Sequence, residues 1–186
     1  MGRVPGGVKT YKPDSTTYKK RMKEVAEMLK SGRYSSVEMG KGGGYLAIEK
    51  SSAKHKAEEI EAGKILADKG YKIILKNEAG THLTADGFIF KAVFEQSTPS
   101  VPQKGELPKG AKNIKKNLEH AKSKNTYGEN GSKIDVAIIY DKHHLYNRDV
   151  IEQGIKEYEK HNNYRFKNII VISHDGKIHK HRHHDI

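Results

Sequence analysis

The chain has 186 residues, enough for one sizeable core, with 34% hydrophobic and 31% charged side chains. Thirty-five Lys and Arg against 23 Asp and Glu leave a net charge of +12, a balance that favours a polyanionic partner such as nucleic acid over a membrane surface, since no basic helix has a strongly apolar opposite face. With no Cys, disulfides, thiolate nucleophiles and Cys-bound zinc are excluded; no apolar run is long enough to span a bilayer, and Met1–Lys20 lacks an apolar signal core, so Sec-type export by this chain alone is not expected.

In chain order, residues 1–14 are rich in Gly, Pro and Lys and read as loose. Ser15 to Ser31 reads as a helix capped by Ser15 or Thr16, with Met22, Val25, Met28 and Leu29 as its apolar stripe. Val37 to Glu49 reads as two short strands around Gly42-Gly43-Gly44; the run lacks the spacing of a P-loop, so a hairpin is expected there. A helix is expected over Ala53–Lys69, stopped by Gly70, then a buried strand over Tyr71–Leu75 and a polar connection over Asn77–Ala85. Two tightly joined strands follow, Asp86–Phe90 and Lys91–Ser97. The Pro- and Gly-bearing stretch Thr98–Gly110 is a loop.

Ala111–Lys124 has helical spacing, with Ile114, Leu118 and Ala121 on one face and Lys112, Lys115 and Lys116 opposite. Asp135–Tyr140 is an apolar central strand, Arg148–His161 a helix capped by Asn147, and Asn168–Ser173 a second apolar strand. The two apolar strands are joined through a helix, which predicts a parallel pair. Asp175-Gly176 then turns the chain into Lys177–Arg182 as a hairpin. The fold class is α/β: a mixed central sheet with flanking helices. From Ala53 the order is helix, three strands, helix, strand, helix and two strands, preceded by an N-terminal helix and short hairpin. The expected division is a basic N-terminal segment over residues 1–34 and an α/β domain over residues 35–186.

Candidate chemistry gathers between His55 and Ser97. Asp86 opens one strand and Glu95 sits late on the next, so an antiparallel hairpin would bring both carboxylates to one sheet edge. There they would hold Mg²⁺ or another divalent cation through oxygen, polarising a phosphodiester and activating water. His55 and Glu58 would lie at the N-terminal end of the buried face of the Ala53–Lys69 helix. Lys91 falls on the face of Glu95 by alternation, some 13 Å away. His179, His181 and His183 alternate along the last strand, where phosphate contact or plain solvation is favoured over a metal site. Lys112, Lys115, Lys116, Lys180 and Arg182 are the basic residues expected to track a nucleic-acid backbone.

The stretch HKAEEIEAGKILADKGYKIIL…TADGFIFKAVFEQSTPS resembles the PD-(D/E)xK nuclease core, and within it the nuclease-type C-terminal domains of contact-dependent growth inhibition toxins, domains also found on phage and mobile-element proteins. The match runs from about Val37 to Arg182. It implies metal-binding roles for Asp86, Glu95 and Glu58, with Glu59 and Glu61 as alternates to Glu58. It also places Ser97 where the motif carries a Lys that activates or orients water, and a Ser hydroxyl does neither well.

The function implied is a toxin-like endonuclease that hydrolyses phosphodiesters with a divalent ion. RNA comes ahead of DNA as substrate, the target cytoplasm is the site of action, and a cognate immunity protein is the partner. Two other readings stand beside it. One is a catalytically degenerate nucleic-acid-binding protein of phage or mobile-element origin. The other is a metal-independent RNase in which His55 is the base, and Lys91 or a C-terminal His its partner.

Overall fold

A computed structural model describes residues 4–5, 7–51, 54–77, 85–104 and 110–185. The expected polar connection Asn77–Ala85 therefore lies largely outside the described residues, and of the expected loop Thr98–Gly110 residues 105–109 do. By internal packing the chain divides into two compact units, Met1–Val93 and Phe94–Ile186. The expected α/β class, with mixed sheet pairing and an N-terminal helix, is what each unit is built from. No helix among the described residues is long and apolar enough to cross a membrane.

The first unit begins with helix α1 (Thr16–Lys30), whose cap Ser15 accepts from the Tyr18 N–H at 3.2 Å. Strands β1 (Tyr34–Met39) and β2 (Tyr45–Glu49) form an antiparallel hairpin. Helix α2 (Ala57–Asp68) then carries the chain to β3 (Lys72–Leu75), which pairs with β2 in parallel and with β4 (Gly87–Ile89) antiparallel. α1 lays Val25 against Val37, Tyr45 and Ala47, with Met28 and Met39 filling the margin.

The stripe expected on α1 is only half right. Met22 and Leu29 are more than 50% exposed, while Arg21 is 7% exposed. The reason is polar: the Arg21 guanidinium donates to the carbonyls of Gly43 (3.0 Å) and Gly70 (2.6 Å) and lies over the Tyr11 ring. The Gly-rich turn is a packing device, as the hairpin expectation holds. A Cβ at Gly40, Gly42 or Gly44 would fall within 2.3 Å of the backbone at Ala67, Asp68 or Tyr71, so only glycine lets this turn close on the end of α2.

In the second unit, β5 (Ala92–Ser97) pairs in parallel with β6 (Val136–Asp141) from Phe94 onward, and helix α3 (Gly110–Ser123) makes the crossover. β6 pairs in parallel with β7 (Asn168–Ser173) through α4 (Arg148–His161), as the two apolar strands predicted. β8 (Ile178–His181) closes an antiparallel hairpin with β7. Every residue of β6 is buried, and Ile114, Leu118 and Ala121 of α3 are buried as their spacing predicted. The helices α3 and α4 meet where Gly154 leaves room for Ile114.

Candidate functional site

Burial separates four acidic residues from the rest. Among the described residues, the buried acids are Glu59 (9% exposed), Asp86 (5%), Glu95 (4%) and Asp141 (3%). A buried carboxylate is costly unless a partner or a function repays its lost hydration. Asp141 is accounted for by structure: its two oxygens accept the N–H groups of Leu145 (2.8 Å) and Tyr146 (3.1 Å), holding the turn after β6. Of the other three, Asp86 and Glu95 are acids singled out in the sequence, and Glu59 is an alternate to the expected Glu58.

In the first unit, α2 begins four residues later than expected, at Ala57. Glu59 sets that start: its carboxylate reaches back to the Lys56 N–H at 3.2 Å and to His55 Nδ1 at 3.0 Å. His55 therefore precedes the helix rather than riding its face, with its side chain only 2% exposed. It lines a cavity of about 380 Å³ with Ile48, Lys54 and Ile60. The buried face of α2 runs through Glu59, Ala62, Gly63 and Leu66, which leaves Glu58 half-buried beside it and makes Glu59 the inward acid. Asp86 is buried just ahead of β4, its carbonyl accepting the Lys76 N–H at 2.9 Å. Lys91 is not on a strand. It occupies the tight turn after Phe90, where φ is +54°, and is exposed.

In the second unit, Glu95 sits on β5 opposite Ala137 and Ser97 ends the strand opposite Ile139. Glu95 Oε1 lies 3.5 Å from His120 Nε2 and 3.7 Å from Lys124 Nζ. His120 belongs to the last turn of α3 and Lys124 follows it directly, so one helix end delivers an imidazole and an ammonium to a strand carboxylate. Gln96 is buried and donates to the Thr98 hydroxyl at 2.8 Å. Lys112 and Lys116 are exposed on α3, whereas Lys115 is partly committed to Glu119 at 3.8 Å. Lys180 lies on β8 and Arg182 just beyond it, both exposed.

The C-terminal histidines do not behave as a loose tail. His181 Nδ1 lies 2.5 Å from Glu152 Oε1, and His184 Nδ1 lies 2.6 Å from Glu159 Oε1. His183 is 8% exposed, packed against Tyr158 and Phe166, and its Nε2 accepts the Phe166 N–H at 3.2 Å. Burial holds the His183 imidazole below its usual range, partly countered by Glu159. Among the described residues no group of three or more His, Asp or Glu side chains is arranged to hold a metal ion. Alternation along β8 does not gather His179, His181 and His183 into one such group.

Sequence reasoning missed Lys124 and His120 as neighbours of Glu95. The only available signal was the crossover itself: a helix leading from β5 to its parallel neighbour β6 must run back beside β5.

No model of a known protein family matches the chain, and no curated protein matches it. Among solved structures the chain is similar to a CdiA-CT/CdiI toxin and immunity complex from Burkholderia pseudomallei. Identity is 18%, the similarity covers 70% of this chain and 91% of that one, and the TM-score is 0.45. Likeness at that level says nothing about chemistry.

Proposed function

We propose that the chain is a toxin-like endonuclease that cleaves nucleic-acid phosphodiesters, RNA ahead of DNA. The observation that carries this reading is the coincidence of burial with motif: of the four acids buried among the described residues, Asp86 and Glu95 are acids the sequence singled out, and Glu59 adjoins the third and engages His55. Glu59 supplies the helix acid in place of Glu58, and it orients the His55 imidazole. Lys124 supplies, from the end of α3, the ammonium that Ser97 lacks. It offsets charge on the attacked phosphate while Glu95 holds it in place.

Divalent-ion dependence is a separate proposal carried by the resemblance alone. The described side chains do not form a resident ion site, so no step of the reading depends on one. A cognate immunity protein as partner and the target cytoplasm as site of action belong to the same proposal.

The test is cleavage of total tRNA, rRNA and plasmid DNA by the purified chain, with Mg²⁺ or with EDTA. Glu59→Gln, Asp86→Asn and Glu95→Gln are each expected to abolish cutting. Cleavage in EDTA that needs His55 would replace the ion-dependent form with the His-based RNase. A chain that binds these substrates and cuts none of them sinks the nuclease reading in favour of a binding protein.

A further inference from the structure

We propose that a cavity of about 490 Å³ in the second unit is a nucleotide subsite, which takes one unit of a single-stranded nucleic acid by its backbone phosphate. This rests on the nucleic-acid reading above and deepens it. The cavity lies between the start of α4 and the edge strand β8. Three cations line it: Arg148 from the first turn of α4, Lys180 from β8, and Arg182 beyond it. Ile151, Ile178 and Tyr146 supply apolar wall. Ligand sites of this kind run from about 300 to 1,000 Å³, so the space suits a nucleotide rather than a bare phosphate.

A set of exposed cations alone would be an ordinary solvated surface. Two further facts set this one apart. His181 is 9% exposed, lines the cavity, and is fixed through Nδ1 to Glu152 at 2.5 Å. A carboxylate that commits one ring nitrogen fixes the tautomer and leaves Nε2 to serve the cavity, the arrangement by which proteins pre-orient a ligand-binding imidazole. Glu152 is the acid lining the cavity, and both its oxygens are engaged, one by His181 and the other, at 3.4 Å, by His184 Nε2. The second fact is crowding. Burial, and then the nearby Arg182 guanidinium, hold the Lys180 ammonium below its usual range. Arg148 and Arg182 enter no ion pair among the described residues. A phosphate would meet both Arg side chains and a ribose hydroxyl would donate to His181 Nε2, while the base rests on Ile151 and Ile178.

The experiment uses the full chain carrying Asp86→Asn, so that RNA stays intact, and a short fluorescent single-stranded RNA followed by anisotropy over a salt series. Arg148→Ala with Arg182→Ala should weaken binding by about tenfold and reduce the salt slope by about 0.7, the value for one phosphate neutralised on a single strand. His181→Gln should weaken it several-fold with little change of slope, because an oriented hydrogen-bond acceptor for the sugar, rather than a phosphate contact, is altered. Inorganic phosphate should compete far more weakly than a dinucleotide. Native circular dichroism with unchanged affinity in the double Arg variant would overturn the subsite. So would a loss of binding confined to Lys112→Ala with Lys116→Ala, which would put the RNA on α3. The outcome is independent of cleavage: a wild-type chain that cuts nothing but binds through Arg148 and Arg182 defeats the nuclease reading and leaves this one standing.

Discussion

Single residues hold the most specific expectations. If Lys124 replaces the ammonium missing at Ser97, Lys124→Ala should lower kcat by about a hundredfold or more, within the range for loss of one positioned catalytic group. Ser97→Lys should restore part of the rate in that background and add little to the wild type, because Glu95 already has its cation. Single-turnover cleavage reads this directly, and a Ser97→Lys rescue that fails while the fold is intact would detach Lys124 from the chemistry. Arg21 is a structural counterpart. Removing a buried guanidinium that serves two carbonyls strands both, so Arg21→Ala should cost about 2–4 kcal/mol in urea unfolding. Both residues were poorly legible in the sequence. Arg21 lies beside Met22, whose apolar side chain drew the stripe one position away from the true buried face. Lys124 is 29 positions from Glu95, and only the α3 crossover brings them together.

Whole elements were easier to read, because their causes are local. Asn147 caps α4 at 2.9 Å from the Val150 N–H, and the helix begins and ends where its pattern does. β6 and β7 follow from uninterrupted apolar runs. α2 was misplaced at its start because Lys56 is an atypical cap, and the true signal was Glu59, three residues on, reaching back to the N-cap backbone.

Two expectations belong at this scale. At the α3–α4 crossing a Cβ on Gly154 would fall 2.4 Å from Ile114 Cβ, so Gly154→Ala should destabilise by about 1–3 kcal/mol through overpacking, seen as a lower urea midpoint. The segment after β8 is held by a neutral His183, since its Nε2 must accept from Phe166. Its folded value lies below the ordinary 6.5, with Glu159, Arg165 and His184 as the charged groups nearby. The unfolded chain therefore takes up the proton first. The contribution of His183 is fully present above about 6.5 and is lost as pH falls from there toward the depressed folded value. His183→Phe should flatten that part of the Tm–pH curve; an unchanged curve would show that the ring does not couple to acid unfolding.

For the whole molecule, composition spoke first and most coarsely. A net charge of +12 predicts that affinity for mixed oligonucleotides falls steeply with salt, log K against log [salt] having a slope of about −0.7 per phosphate neutralised on single strands. A slope near zero would reduce the basic character to solubility. Charge alone could not say where the anion binds. Lys112, Lys116, Lys180 and Arg182 are all exposed, and only the cavity beside the last two, with the Glu152–His181 pair, sets one surface above the other. Asp86 and Glu95 were singled out by type and order and are buried, but that Glu59 rather than Glu58 faces inward needed the phase of a helix whose first residue the sequence placed too early.

The all-buried strand β6 also dictates an order of events in time. β7 and β8 are joined by a tight turn, with Ile172 opposite Ile178, and can pair within microseconds. β6 must wait for partners about forty residues upstream on β5 and about thirty downstream on β7, each brought home by its own crossover helix. Until both arrive, Val136-Ala137-Ile138-Ile139-Tyr140 is an uncharged, β-prone segment with two open edges, the kind of stretch that recruits its own copies. Refolding yield should therefore fall as protein concentration rises, and a chaperone that shields this one segment should restore it.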